Sequence, residues 1–193
     1  MEYKYIGKNY VRPDAISKVT GKAIYLDDVR LPGMLHAAIL RPDYAHAKII
    51  SIDISEAETM PGVVKVVTGK GCNFFYGDNI KDLVPMAIDK VHHIGEPVAA
   101  VVADTPENAQ NAVEKINVVY EPLPVYIDAR DAMKEDAVLI HEKHEDFWRL
   151  PTLNAKPNTN IANLYQLRKG KAEDGFDEAE VIIEGEFDYP LGS

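Results

Sequence analysis

Two groups of histidines offer the side chains best suited to metal binding or acid–base catalysis. His141, His144 and Glu145 form an H-x-x-H-E sequence, which on a helix would place two imidazoles on one face. The order differs from the H-E-x-x-H zinc motif, and the surrounding residues are polar rather than an apolar helix stripe. We therefore predict no metal site in this segment.

A second histidine pair, His92-His93, stands close to Glu96. A general base needs a partner at hydrogen-bonding distance, and Glu96 is the only suitable side chain near in sequence. We therefore predict a structural hydrogen-bonding role for the pair rather than a catalytic one. His36 and His46 fall within predicted strands and are interpreted as ordinary strand residues.

Three further segments contain residues that occur in phosphate-binding or catalytic sites, but each lacks the neighbouring residues that such a site needs. Gly69-Lys70-Gly71 has neither the spacing of a phosphate-binding P-loop nor its Ser or Thr. Asp27 and Asp28 are adjacent, and adjacent side chains of an extended chain point in opposite directions. Cys72 has no neighbouring histidine to activate its thiol. The sequence thus predicts no catalytic, cofactor-binding or metal-binding residue in this chain.

The composition is that of a globular protein with an acidic surface. The 193 residues carry a formal net charge of −10, and 46% of them are hydrophobic. Nucleic acids and anionic membranes require basic surfaces, so neither is an expected partner. No apolar run approaches the ~20 residues of a membrane-spanning helix, and the first residues lack the apolar centre of a secretory signal. A single cysteine excludes an internal disulfide. We expect a cytoplasmic protein.

The segment 90–124 predicts a strand, a helix and a second strand joined by short loops. Residues 98–103 are apolar throughout, which indicates a strand covered on both faces. Thr105 is a good N-cap, and Pro106 suits the first helical position. A second strand follows at 117–121. Apolar residues at i, i+3, i+4 and i+7 form one face of the helix: Ala109, Ala112, Val113 and Ile116.

The residues before this unit predict three more strands and a short helix. Residues 34–41 and 46–54 are typical of strands, and the isoleucines of the second run alternate with polar residues, as in a half-buried strand. Ser55 and Glu58 fit a capping box at the start of a short helix. Residues 63–68 predict another strand.

The character of the sequence changes after Pro124. Residues 131–175 are polar and interrupted by proline, which favours a linker or arm over a second core. Residues 181–187 predict one strand, and a lone strand needs a partner. The aromatic residues of loop 69–89 and of segment 141–150 either fold back on this domain or pack on a partner. With 181–187, we predict these as contact surfaces.

Motifs throughout the chain resemble the xanthine dehydrogenase/aldehyde oxidase family. The similarity follows one order over essentially the whole chain, which makes it more specific than any single motif. The segments that carry it are Arg12-Pro-Asp, Lys18-Val-Thr-Gly-Lys-Ala, Tyr25-Leu-Asp-Asp, Ala45-His-Ala-Lys-Ile, Ile52-Asp, Ala57 with Met60-Pro-Gly-Val, Gly95-Glu-Pro-Val-Ala-Ala-Val-Val-Ala-Asp, Ala109-Gln-Asn-Ala, Val118-Val-Tyr-Glu-Pro-Leu-Pro, Lys169-Gly-Lys and Phe176-Asp-Glu-Ala-Glu.

The resemblance implies a fold and a position within a larger enzyme. The expected class is α+β: an α/β-hammerhead domain with a mixed sheet and packed helices, followed by an extended arm. The expected boundaries are 1–130 for the hammerhead domain and 131–193 for the arm with the first strand of the molybdopterin-binding region. The Leu191-Gly-Ser193 tail is either native or a remnant of expression.

The resemblance also implies a reaction. Family members oxidatively hydroxylate an N-heterocycle or aldehyde with water as the oxygen source, use a glutamate as base, and pass electrons through iron–sulfur clusters to a flavin or another acceptor. The segments that contact the molybdopterin cofactor lie beyond residue 193, so we expect this fragment to bind no cofactor and to be inactive. The substrate, whether purine, aldehyde, aromatic thioester or carbon monoxide, stays open, as does the electron acceptor.

The expected partners are the downstream molybdopterin-binding domains and iron–sulfur and FAD modules on separate subunits. Formation of a homo-oligomer stays open. The alternative is a stand-alone binding or assembly module with the same fold. A small independent hydrolase would need a catalytic triad, and the sequence shows none.

Overall fold

The computed structural model describes residues 3–72, 74–142 and 144–187, which form two compact units. The first unit consists of residues 3–72 and Met86–Pro122, and the second of residues 74–85 and 123–187. All the strands described belong to the first unit. The domain boundary expected at 130/131 stays a prediction.

The first unit contains two three-stranded antiparallel sheets. One sheet has the order β1-β5-β3 and the other β4-β2-β6. The α+β class is as predicted, but the mixed sheet is wrong, because the pairs described are all antiparallel. The two strands that flank the long helix enter different sheets, so no parallel crossover arises. The strands are β1 His36–Leu40, β2 Ala47–Asp53, β3 Val63–Thr68, β4 Lys90–Val91, β5 Ala99–Ala103 and β6 Asn117–Pro122.

The helices are short, and the longest has the predicted N-terminus. Thr105 accepts a hydrogen bond at its hydroxyl oxygen from the backbone N–H of Asn108 (3.1 Å), and Pro106 occupies the first turn. This helix packs on β1 and β5. The helices are α1 Ala15–Val19, α2 Ser55–Glu58, α3 Pro106–Val113, α4 Ala129–Ala132 and α5 Ala172–Asp177, with 3₁₀ turns at Leu26–Asp28, Gly69–Gly71 and His144–Asp146.

The substitution Thr105→Ala removes the side-chain cap of α3. We expect it to lower the free energy of unfolding by about 1 kcal/mol, the usual value of an N-cap hydrogen bond. Urea unfolding followed by circular dichroism measures the change. Thr105→Ser keeps the accepting oxygen and is the control; equal losses for both variants would contradict the cap.

The core of the first unit lies between α3 and the sheet that contains β5. Val101 at the centre of β5 is fully buried, which confirms the prediction of a covered strand. The predicted helix stripe is confirmed for Ala109, Ala112 and Val113, which are buried on α3. Ile116, its fourth predicted member, is buried as well but lies beyond the end of the helix. The cluster comprises Ala57, Val66, Ala99, Val101, Ala112, Val113 and Ile116, and Ala109 is also buried.

Two local predictions for the region 46–58 need correction. The predicted alternation holds at Ile52 and Ile54, which pack on the core, but is wrong at Ile50, which is exposed because the pairing of β2 with β6 shifts register between Ile49 and Ser51. Such a bulge adds one residue on one strand and reverses the faces beyond it. Ser55 forms no capping box, because it is the first residue of α2 and Ile54 occupies the N-cap position. The Ser55 backbone N–H donates to the Asp53 carboxylate (3.0 Å).

Side-chain hydrogen bonds to irregular backbone connect segments of the second unit. Asn160 accepts from the Ile140 backbone N–H (2.8 Å) and donates to the carbonyl oxygens of Ala132 (3.0 Å) and Val138 (3.1 Å). The Tyr126 hydroxyl accepts from the Val138 N–H (2.8 Å). These bonds satisfy polar groups that a helix or sheet would otherwise pair.

The strand predicted at 181–187 is not formed. These residues have no assigned secondary structure, and the described part of the chain provides no strand beside them. A strand exists only through its neighbour, which explains the difference. The Leu191-Gly-Ser193 tail lies outside the described residues. Among the described residues, no helix is long and apolar enough to cross a membrane.

Candidate functional site

The best-defined polar site of the first unit is the turn between β4 and β5. Glu96 is 7% exposed and accepts a hydrogen bond from the backbone N–H of His92 (2.6 Å). The same carboxylate lies 3.2 Å from His92 Nδ1. The structural hydrogen bond predicted between these residues is therefore present.

Backbone contacts fix the position of this turn. The Arg41 guanidinium donates to the carbonyl oxygen of Gly95, and the Gly95 N–H donates to the Pro42 carbonyl oxygen (3.3 Å). Gly95 has a φ of 80°, which favours glycine. These bonds hold the turn against the residues that follow β1. We conclude that Glu96 and His92 organise the chain between two sheets.

The electrostatics of Glu96 reflect two opposed effects. Burial acts to raise the pKa of its carboxyl group. Hydrogen bonds from the His92 side chain and backbone, together with the charges of His92 and His93, outweigh burial, so the pKa lies below its ordinary value. The ionised form is thus the one that the fold stabilises.

Two buried polar residues near this turn were not identified from the sequence. His46 is 5% exposed and Lys90 is 7% exposed. His46 also lies just before β2 rather than within it, whereas His36 begins β1 as predicted. Strand β2 pairs with β4 at Ala47 and Val91. His46 and Lys90 directly precede these two residues, so both lie at the same strand pair. Only knowledge of that pairing would have indicated their burial.

The segment with His141 and His144 does not form the helix face that a zinc site would need. His144 begins a 3₁₀ turn, and its Nε2 lies 3.1 Å from the carbonyl oxygen of Lys156. His141 packs edge-on against Phe147, with ring centroids 5.6 Å apart. The Glu145 side chain lies outside the described residues.

The aromatic residues of the predicted contact loops are partly used within the second unit. Phe75 packs on Phe147 with ring centroids 5.4 Å apart, and the Lys81 ammonium lies 5.1 Å from the centre of the Trp148 ring. Phe74, Tyr76 and Trp148 nevertheless stay exposed. Folding back on the chain is therefore found for Phe75, Phe147 and Trp148, whereas packing on a partner stays a prediction.

Asp27 and Asp28 accept hydrogen bonds that stabilise a turn. Asp28 accepts from the Tyr25 backbone N–H (2.9 Å), and the Asp27 carbonyl oxygen accepts from the Arg30 guanidinium (2.6 Å). The expectation of an extended chain here is wrong, because Leu26–Asp28 is a 3₁₀ turn that the Asp28 carboxylate caps. Neither residue forms a carboxylate pair for chemistry.

Two glycines of the described residues lie against the chain's own backbone. A Cβ on Gly69 would lie 2.2 Å from the Ala87 carbonyl oxygen, and one on Gly77 would lie 2.0 Å from that of Ile80. The chain's own backbone thus occupies the space beside these glycines. Among the described residues, no group of three His, Cys, Asp or Glu side chains could hold a metal ion. Cys72, partly buried, has no such group around it.

Comparison with known proteins agrees with the fold. The family described as "Aldehyde oxidase and xanthine dehydrogenase, a/b hammerhead domain" matches residues 20–124. A relative from Bacillus subtilis (strain 168), named as a probable xanthine dehydrogenase subunit, is 36% identical over 93% of this chain and 22% of that protein. The "Nicotinate dehydrogenase large molybdopterin subunit" of Eubacterium barkeri is 31% identical over 95% of this chain and 40% of that protein.

The similarity to this family extends to a solved structure. The aldehyde oxidoreductase from Desulfovibrio gigas superposes with a TM-score of 0.64 at 38% sequence identity, over 71% of this chain and 17% of that one. The chain thus spans 22% and 40% of the length of the two curated relatives. The family match covers more than half of the 193 residues, and the sheets and α3 agree with it. The chain belongs to the aldehyde oxidase and xanthine dehydrogenase family and contains its α/β-hammerhead domain.

Proposed function

We propose that this chain is the N-terminal structural domain of a molybdenum-dependent hydroxylase or dehydrogenase of the xanthine dehydrogenase type. The observation that carries the proposal is the coverage: the Bacillus relative matches 93% of this chain, but the match occupies only 22% of that relative. A similar partial match is found with the nicotinate dehydrogenase of Eubacterium barkeri. A domain of this kind contributes to a larger catalytic chain.

For the whole enzyme we infer oxidative hydroxylation of an N-heterocycle or aldehyde, with water as the oxygen source. The name of the Eubacterium relative places molybdopterin in a large subunit, and a relative from Paenarthrobacter nicotinovorans is named as one component of a dehydrogenase complex. These names support a molybdopterin cofactor bound by the rest of the polypeptide. The words "complex subunit" and "large molybdopterin subunit" support further subunits, and we infer that these carry the iron–sulfur clusters and FAD.

The exposed apolar residues support an architectural role. Ile183 and Phe187 are 90% and 93% exposed in a segment that forms no strand. Large apolar side chains concentrated in this way commonly mark a surface that another domain covers. We infer that segment 181–187, loop 69–89 and segment 141–150 contact the molybdopterin-binding domains or the partner subunits.

Expression of the 193-residue chain alone tests the proposal. We expect the purified chain to retain no molybdenum and to show no turnover of aldehydes or purines, because its described residues provide no metal-binding group. Elemental analysis and a dye-linked oxidation assay measure both. Oxidation that persists through further purification would contradict the proposal.

The native polypeptide from source cells is the matched control. Its mass, determined by mass spectrometry after capture, should be several times the 21.5 kDa of this chain, and it should contain molybdenum. A native chain that ends near residue 193 would instead support the stand-alone binding or assembly module.

A further inference from the structure

Antiparallel backbone pairing joins two of the predicted contact segments within the second unit. Tyr76 and Leu83 exchange two backbone hydrogen bonds (2.9 and 3.1 Å). Ile80 is the antiparallel partner of Arg149, which belongs to the other segment. Side chains opposite each other in such a pairing lie on the same face, and successive side chains along a strand lie on opposite faces. The pairing therefore sorts the side chains of both segments onto two faces.

One of these faces is exposed and mainly apolar. Lys81 lies opposite Trp148 in this register, since its backbone N–H donates to the Trp148 carbonyl oxygen (2.9 Å) and its ammonium lies 5.1 Å from the centre of the Trp148 ring. Leu83 follows Lys81 by two residues, and Tyr76 is opposite Leu83. The three apolar side chains are between 47% and 52% exposed. We call these four residues the Trp148 face.

The opposite face is directed into the second unit. Ile80, Asp82 and Arg149 alternate with the residues of the Trp148 face, and all three are half-buried. They line an internal cavity of about 90 Å³ together with Phe147 and Asn160. The alternation is thus the usual one of a sheet with one inner and one outer side, except that the outer side is the apolar one.

The size of the Trp148 face indicates what kind of partner covers it. Three apolar side chains that are about half exposed present roughly 300 Å² together. A separate protein needs about 800 Å² on each partner for a stable interface. A segment of the same polypeptide needs much less, because covalent linkage gives it an effective concentration in the millimolar range. The face therefore fits an intramolecular partner.

Lys81 defines the charge of that partner. Among the described residues its ammonium contacts the Trp148 ring and forms no ion pair with a carboxylate. Covering this ammonium removes water from it, which is costly unless an acidic group takes the place of the water. A segment that covers the face must therefore combine apolar side chains with an aspartate or glutamate.

We propose that the Trp148 face binds an apolar segment of the polypeptide beyond residue 193, with a carboxylate of that segment paired to Lys81. The existence of that segment rests on the proposed function, since the Bacillus relative extends far beyond its match to this chain, which occupies 22% of it. This contact fixes the second unit to the domain that follows.

Zero-length crosslinking of the native full-length protein tests the proposal. A carbodiimide joins an ammonium and a carboxylate that are in direct contact: the amide bond forms between the lysine nitrogen and the carboxyl carbon, and one carboxyl oxygen leaves in the urea made from the reagent. We expect peptide mass spectrometry to find Lys81 joined to an aspartate or glutamate beyond residue 193. Lys48 and Glu121, 3.2 Å apart, supply the internal positive control.

The variant Lys81→Arg is the matched control, because it keeps the positive charge but is not coupled by the reagent. We expect the product at position 81 to disappear and the Lys48–Glu121 product to keep its yield. Coupling of Lys81 to another subunit, or to a second copy in a mixture of isotope-labelled and unlabelled chains, would overturn the proposal. So would the absence of a Lys81 product where the Lys48–Glu121 product forms.

The mass of the native polypeptide separates this proposal from the proposed function. A chain several times longer than 193 residues without the expected Lys81 product overturns only the assignment of the Trp148 face. A native chain that ends near residue 193 overturns both.

Discussion

Gly69→Ala is expected to lower the free energy of unfolding by about 3 kcal/mol, a large effect for the addition of one methyl group. The added Cβ would lie 2.2 Å from the carbonyl oxygen of Ala87 and 2.7 Å from its carbonyl carbon. Both are backbone atoms in a buried region, so relief requires movement of the chain rather than of a side-chain tip. Chemical denaturation of the two proteins gives the difference.

The same turn supplies the control. A Cβ on Gly71 would have its nearest neighbour, Val67 Cγ1, at 3.7 Å, an ordinary van der Waals contact. We therefore expect Gly71→Ala to change stability by less than about 0.5 kcal/mol. Equal losses at the two positions would show that flexibility of the turn, and not the close approach to Ala87, requires glycine.

Glu96→Gln is expected to destabilise the first unit by about 2 kcal/mol at around pH 7, because a buried charged acceptor is replaced by a neutral one. Its carboxylate accepts from the His92 backbone N–H at 2.6 Å and lies 3.2 Å from His92 Nδ1. Both of these contacts involve Oε2, so an amide oxygen can keep them; the substitution removes the negative charge and the second accepting oxygen, Oε1, which lies 3.3 Å from Nδ1. Urea unfolding measures the loss.

The pH dependence of the unmodified protein follows from the same group. The pKa of Glu96 is lowered in the folded state from its ordinary value of 4.5. Near and below that value the unfolded chain binds more protons than the folded chain, so acid favours unfolding. The contribution of Glu96 is therefore complete above about pH 4.5 and is lost as the pH falls through the folded pKa.

We expect Glu96→Gln to flatten this acid limb of the stability profile. Glu121→Gln serves as the control, because Glu121 pairs with Lys48 at 3.2 Å in an exposed position. The value of such an exposed pair is roughly 0–1 kcal/mol. If the acid limb keeps its slope in Glu96→Gln, other carboxylates cause it and the role assigned to Glu96 is wrong.

Local physical chemistry made most of the elements of the first unit predictable. The N-cap at Thr105 and the alanine-rich face of α3 depend on neighbours within a few residues, and both are found. The His92–Glu96 contact also spans only four residues. Such features need no knowledge of the rest of the fold, which is why the sequence predicts them.

Features that depend on distant pairing were not predictable. The bulge at Ile50 arises from the register with β6, which lies more than sixty residues later. Burial of Lys90 depends on β4 pairing with β2. The hydrogen bonds of Asn160 to residues 132–140 cannot be read from composition, so the second unit was expected to be only an arm.

The order of the strands along the chain has a consequence for synthesis on the ribosome. Consecutive strands alternate between the two sheets, and β5, the centre of its sheet, is made after both of its neighbours, β1 and β3. Those apolar strands therefore emerge without a pairing partner. During that interval they are the nascent chain's main aggregation hazard, and chaperone capture is most valuable there. A translational pause that occurs before β5 has left the ribosomal exit tunnel would prolong the interval, whereas a later pause would not.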